Sequence, residues 1–258
     1  MCAHPWPLRK NSLMSIRIGV AGLSIPSALA EQFPSTGTHL QRYATRLSCV
    51  EINSSFYRPH RRTTYERWAA SVPPSFQFSL KLPRAITHDR RLVDCQPLIE
   101  KFAEETSGLG DKRGPILVQL PPSFSYPGDI AERFLEELKN LFPGPIVLEP
   151  RHASWFVPEV DHMLGRQQVS RVAADPAKPI SAAAHPGGWQ SLAYFRLHGS
   201  PRIYESTYGK EAIAAQAKTV ASFTALGREV WMIYDNTTFG AATQNALELA
   251  AALERSKN

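Results

Sequence analysis

The run Ile146-Val147-Leu148-Glu149-Pro150-Arg151-His152 decides how the rest of the chain is read. Three apolar residues, two of them β-branched, make a short buried strand, and charge begins where the strand stops. A strand apolar on both faces belongs to a parallel sheet covered by helices, and such sheets carry their reactive groups at the carboxyl ends of the strands. Seven further runs follow the same pattern, at 16–21, 49–53, 76–81, 116–120, 170–174, 193–198 and 230–235. They recur about every 31 residues, the length of a β-α-β unit.

The segments between them carry a helical period. Leu40, Tyr43, Ala44 and Leu47 follow i, i+3, i+4, i+7, and so do Tyr65, Trp68, Ala69 and Val72. Asp129 is placed as an N-cap for a helix burying Ile130, Phe134, Leu138 and Leu141, and Gly227 as the stop of a helix over 210–226. A last helix turns Ala246, Leu249, Ala250 and Leu253 inward. Pro176, Pro179, Pro186, Gly187 and Gly188 crowd the sixth connection, so an irregular loop replaces most of the helix there. The expectation is an α/β protein, a single (β/α)8 TIM-type barrel over 15–258, preceded by a flexible extension at 1–14. An open doubly wound sheet is the alternative, disfavoured because no G-x-G-x-x-G follows the first run.

The chain has 258 residues, 43% hydrophobic and 20% charged, a globular mix that excludes disorder, collagen and coiled coil. Its 29 basic and 23 acidic residues give +6, too mild and too dispersed for a nucleic-acid tail. Cys2, Cys49 and Cys95 form no C-x-x-C pair, so neither a disulfide framework nor a cysteine zinc site is expected. No uninterrupted apolar window reaches the roughly 18 residues of a membrane helix. Arg9-Lys10, the apolar 13–25 and Ala28-Leu29-Ala30 imitate a secretion signal, but Arg17 interrupts the run and 15–22 alternates as a strand. A cytoplasmic protein, monomeric or a small homo-oligomer, is the expectation.

Polar residues gather at the strand ends: Glu51 and Asn53, Lys81, Gln119, Glu149 with Arg151 and His152, Asp175, Arg196 with His198, and Asp235-Asn236. Residues two apart share a strand face, so Glu51 with Asn53, Glu149 with Arg151, and Arg196 with His198 should project together. Charges so placed in apolar strands are costly unless they meet partners, and strands converging on one mouth supply them. Glu51, Glu149 and His198 are the acid–base candidates. Asn53, Lys81, Gln119, Arg151, His152, Arg196 and Asn236 are the candidates for substrate binding, the cations for an oxyanion and the amides for hydroxyls. The sequence assigns no cofactor, and a divalent metal stays open: Glu149, Asp175, His198 and Asp235 are the types that would hold one. Phe56, Tyr57, Phe124, Tyr126, Trp155, Phe156, Tyr204 and Tyr208 could wall such a site or simply pack its loops.

The strings VEINSSFY (50–57), FSLKLPRAITH (78–88), GPILVQLPPSF (114–124), EPRHASWF (149–156) and AYFRLHG (193–199), with YGKE and IYDNT, resemble the motifs of the domain-of-unknown-function 72 family, also called YecE-like. The resemblance runs from about Ile16 to the C-terminus. It implies a TIM-type barrel and one pocket lined by the polar strand ends, without supplying a reaction. Two departures stand out: Gly22-Leu23-Ser24-Ile25 where the family has a string like G-W-S-Y, and Asp235-Asn236 where it has paired asparagines.

Function is therefore expected to be enzymatic, on a small anionic or sugar-like molecule, phosphorylated or not. A divalent-metal-dependent isomerase or phosphodiesterase, a nucleic-acid-binding module and a non-catalytic binding protein are the alternatives.

Overall fold

A computed structural model describes residues 16–256; the expected extension at 1–14, with Cys2, lies outside the described residues. Ten strands are arranged in two sheets. The first contains β1 (Ile16–Val20), β7 (Ala173–Asp175), β9 (Leu192–Leu197) and β10 (Glu229–Tyr234), in the order β1-β10-β9-β7 and all parallel. The second contains β2 (Cys49–Ile52), β3 (Gln77–Lys81), β4 (Arg113–Gln119), β5 (Ile146–Glu149), β6 (Val169–Arg171) and β8 (Gly187–Gly188), in that order. It is parallel but for β8, which runs antiparallel to β6.

The sheets meet at two places. At one, Ala21 bridges Glu51 in parallel, and the Tyr43 hydroxyl accepts from Val20 N–H (3.0 Å) while donating to the Cys49 carbonyl (2.9 Å). The backbones approach closely, since a Cβ at Gly19 would run into the Cys49 carbonyl. At the other, the expected sixth strand is split. β6 pairs with β5 and β7 with β9, while Val172 between them donates to Leu148 O (2.9 Å).

Eight α-helices accompany the strands: α1 (His39–Tyr43), α2 (Ser54–Tyr57), α3 (Arg62–Ala70), α4 (Gln96–Thr106), α5 (Asp129–Leu141), α6 (Pro158–Arg166), α7 (Lys210–Ala225) and α8 (Ala241–Arg255). Gly227 takes φ 73° just past α7, as the stop requires. Asp129 is not the N-cap of α5 but its first residue. Gly128, at φ 61°, holds the cap, leaving the Asp129 carboxylate in the first turn, where the helix dipole favours it. The proline-rich connection is a loop, as expected, with a 3-10 turn at Ser181–Ala184 and the short β8.

Period-two alternation sorts the strand residues. One face packs on the helices, with Val118, Leu148 and Met232 against residues such as Phe134, Leu164 and Leu249. The other gathers Ala21, Cys49, Leu117, Val147, Val172, Tyr194 and Trp231 in a second apolar cluster that draws on both sheets. Two residues beyond Cys49, Val147 and Tyr194 stand Glu51, Glu149 and Arg196, where the second face turns ionic.

Candidate functional site

Arg196, on β9, is the centre of that ionic layer and is 1% exposed. Its guanidinium grips Glu51 of β2 through two nitrogens, Nε to Oε2 (3.1 Å) and Nη2 to Oε1 (2.8 Å). Nη1 donates to Glu149 Oε2 (2.6 Å) and Nη2 also to Asp235 Oδ2 (2.9 Å). One planar cation thus satisfies three buried carboxylates from both sheets, a task suited to arginine and not to a lysine point charge. Tyr194, two residues below Arg196, donates to Glu51 Oε2 (2.9 Å) and lies 2.8 Å from the Ser79 hydroxyl, closing the layer underneath.

His198 follows immediately after β9, on the same face as Arg196. Its Nδ1 lies 2.9 Å from Asp235 Oδ2 and its Nε2 3.1 Å from Glu149 Oε1. Burial opposes charge on the ring, but the Glu149 carboxylate and hydrogen bonds to Asp235 and Glu149 prevail, so its pKa is raised and the imidazolium is favoured. Glu149 also takes Arg151 Nη2 at 2.8 Å and Nε at 3.1 Å. Burial pushes its pKa up, yet Arg151, Arg196 and His198 overcome this and hold it well below the usual carboxylate range. Asp235 is lowered likewise, Arg196 and His198 outweighing burial.

Above this layer stand the rim groups. Arg151 keeps 24% of its side chain exposed. Lys81, the last residue of β3, is 8% exposed, and its Nζ sits 4.2 Å from the centre of the Phe56 ring. Among the described residues its ammonium has no ion pair and no hydrogen bond, because the neighbouring carboxylates are engaged by Arg196, Arg151 and His198. Burial, with Arg196 nearby, lowers its pKa to about 8 despite the pull of Glu51, Glu149 and Asp235. Gln119, 9% exposed, ends β4 beside Glu149 in the sheet register.

The other sequence candidates are placed differently. Asn53 follows β2 as the N-cap residue of α2 without a capping bond, and its buried Oδ1 has no partner among the described residues. His152 turns aside: Nδ1 lies 2.9 Å from Ser154 Oγ and caps the turn Ala153–Trp155. Asp175 accepts from the Tyr208 hydroxyl (2.6 Å) and stays out of the cluster. Asn236 ties loop to helix, donating to Ser206 O (2.9 Å) and Asn245 Oδ1 (3.0 Å). Among the described residues, no group of three or more His, Cys, Asp or Glu side chains is disposed to hold a metal ion. The guanidinium of Arg196 fills the centre between Glu51, Glu149 and Asp235.

Sequence reasoning missed His88 and Tyr194. His88 lies in a π-helical turn, Ala85–Asp89, with its ring edge-on to Phe56 at 5.0 Å, the same ring that Lys81 Nζ meets. Burial and the cations Arg84, Lys81 and Arg151 lower its pKa, keeping it a neutral base. The aromatics divide: Trp155 is fully buried and donates to Phe124 O (2.9 Å), whereas Tyr57 and Tyr204 stay exposed, Tyr204 edge-on to His198 at 5.8 Å.

Residues 17–258 match the family model described as Protein of unknown function DUF72. The chain belongs to that family. It is 31% identical over 153 residues to the UPF0759 protein YecE of Escherichia coli K12 (57% of this chain, 55% of the relative). To YunF of Bacillus subtilis it is 27% identical over 150 residues (55% and 53%). The matched region thus spans about half the length of these curated relatives. A DUF72 crystal structure from Enterococcus faecalis superposes with a TM-score of 0.79 at 24% identity, covering 93% of this chain and 95% of that one. One from Thermotoga maritima gives 0.75 at 23%, covering 93% and 100%. A methyltransferase from Methanosarcina mazei shares the fold more distantly, at 0.53 and 10% identity over 94% and 95%. The fold is mixed α/β with parallel sheets, like other DUF72 structures. Among the described residues no helix is long and apolar enough to cross a membrane.

Proposed function

We propose that the two sheets close as one (β/α)8 ring, a single domain, whose strand-end mouth binds a small anionic or sugar-like substrate for enzymatic conversion. The ring reading is supported by the second apolar cluster, which mixes side chains of both sheets, and by Arg196, which reaches from β9 to carboxylates on β2 and β5. The anion reading rests on one observation: the carboxylates of the layer are already engaged, while at the rim Lys81 has no ion pair among the described residues and Arg151, though paired with Glu149, keeps part of its side chain exposed. Glu51, Glu149 and Asp235 face Arg196, Arg151 and Lys81, and beside them stands His198, whose raised pKa favours the charged ring.

In this reading Arg151 and Lys81 hold the oxyanion, and Gln119 and Asn53 meet hydroxyl groups. Because Glu51 and Glu149 grip one guanidinium, their nearest oxygens lie within about 8 Å of each other, inside the span of glycosidase carboxylates. Yet Glu149 is held ionised, so it serves as base or electrostatic support, and the proton donor falls to His198. Glu51, fully buried and doubly bound by Arg196, positions that cation.

Thermal unfolding in inorganic phosphate, a sugar phosphate, the parent sugar or a chloride control of equal ionic strength tests this. Phosphate and sugar phosphate should raise Tm with the logarithm of ligand concentration once it exceeds Kd, and Arg151→Ala with Lys81→Met should abolish the rise. Equal shifts with chloride, or shifts surviving both substitutions, would overturn it.

A further inference from the structure

Lys81 is provided for unlike any other charge in the site. Its stem is sunk at the end of β3, its ammonium rests on the face of Phe56, and among the described residues no carboxylate comes within ion-pair distance. A lysine whose only task was to anchor an anion would be expected to sit like Arg151, part-exposed and braced by a neighbouring carboxylate. The Lys81 side chain instead meets an apolar ring, with Arg196 as a repelling neighbour and Glu51, Glu149 and Asp235 attracting it only from beyond contact; His88 packs edge-on to the same ring. Desolvation beside a second cation is the arrangement that frees a lysine amine to act as a nucleophile.

We infer that Lys81 is a covalent nucleophile that forms a Schiff base with an aldehyde or ketone whose oxyanion is held by Arg151. This rests on the anion-binding reading above and specifies its substrate class as a carbonyl compound bearing a phosphate or carboxylate. In the step, Nζ adds to the carbonyl carbon and the C–O bond then breaks. The oxygen leaves as water, taking one hydrogen from the amine and one proton from solvent, and the nitrogen keeps its other hydrogen as an iminium. No oxidant or reductant is consumed. A lysine titrating near 8 has roughly 200 times the free-amine fraction of an ordinary lysine at pH 7.5, so selectivity over exposed Lys101, Lys210 and Lys218 follows.

The test treats the full chain with substoichiometric pyridoxal 5′-phosphate, and separately with pyruvate, and reduces each with borohydride. Peptide mass mapping then locates the secondary amine formed. The expected result is one adduct at residue 81, at least ten times the labelling of any exposed lysine, suppressed by inorganic phosphate and absent from Lys81→Arg. Wild-type labelling rate should rise through a midpoint near pH 8, which keeps the inference testable should the variant fold poorly. Labels spread over Lys101, Lys210 and Lys218, with residue 81 unmodified, would overturn the Schiff-base assignment. If phosphate still raises Tm through Arg151 in that case, the anion reading survives alone. An adduct at residue 81 that phosphate does not suppress would uphold the nucleophile and remove the oxyanion clamp.

Discussion

Arg196 and Lys81 are two buried cations on neighbouring sides of one ionic layer, and the protein treats them in opposite ways. Arg196 is surrounded by Glu51, Glu149 and Asp235 and donates through every nitrogen of its fork. Lys81 has an aromatic ring and, among the described residues, no carboxylate at contact distance. A buried charge costs several kcal/mol unless paired, so Arg196 is integral to the fold whereas Lys81 is carried by it. The difference teaches where to look for function: in the group left unsatisfied, not in the densest cluster.

The first way to break the contrast is Arg196→Met. Three buried carboxylates would lose their shared partner, and a loss of about 3–5 kcal/mol is expected, read as a lower urea midpoint. Adding Glu51→Gln and Asp235→Asn should recover part of it. Acid acts on the same contacts. Glu149 and Asp235 have lowered folded pKa values, so their stabilisation is present above the ordinary carboxylate range and is lost as pH falls through the lowered values. An unfolding midpoint that is flat from pH 6 to pH 2 would contradict the lattice.

How far this was legible in the sequence depends on distance along the chain. Charged ends on apolar runs give the strands and the layer, because period two puts Glu149 with Arg151 and Arg196 with His198 on one face. That Arg196 pairs with Glu51, 145 positions away, is fixed by sheet register, which a single run does not contain. His152, Asp175 and Asn236 have the right residue types at the right strand ends, but local partners, Ser154, Tyr208 and Asn245, divert them. Nothing in the run around Tyr194 separates its hydroxyl from ordinary core. His88 depends on a π-helical turn that no hydrophobic period announces. The splitting of the sixth strand at Val172 is equally silent, since 170–174 reads as one run.

Lys81→Met sharpens the contrast with the opposite sign. The folded pKa near 8 lies below the unfolded value, so the unfolded chain binds the proton more tightly. Below pH 8 this costs the fold roughly 3 kcal/mol, and the cost fades as pH rises toward 10.5. Methionine should therefore stabilise the protein by about 1–3 kcal/mol at pH 7 and remove the alkaline gain, while anion binding is lost. His198 has the reverse dependence. Its raised folded pKa gives stability that is complete below 6.5 and is lost as pH climbs through the folded value, so His198→Gln should flatten that limb. A Lys81→Met protein less stable than wild type at pH 7 would remove the distinction between the two cations.

The smallest expected effect concerns the place where β1 meets β2, with a single bridge and the Tyr43 hydroxyl standing in for a ladder. Tyr43→Phe keeps the ring and deletes one oxygen, leaving Val20 N–H and the Cys49 carbonyl without that partner. A loss of about 1–2 kcal/mol is expected, since an unmade bond at a buried group costs its desolvation. Hydrogen exchange gives the sharper reading. The Val20 amide should lose protection in the variant, while amides on the fully laddered β9 and β10 change only with global stability. If Val20 exchanges no faster than its neighbours on β1, the hydroxyl is a passenger and the seam is held by its backbone bonds, Gly22 N–H to Glu51 O (2.8 Å) and Ser48 N–H to Ile18 O (3.3 Å), and by packing.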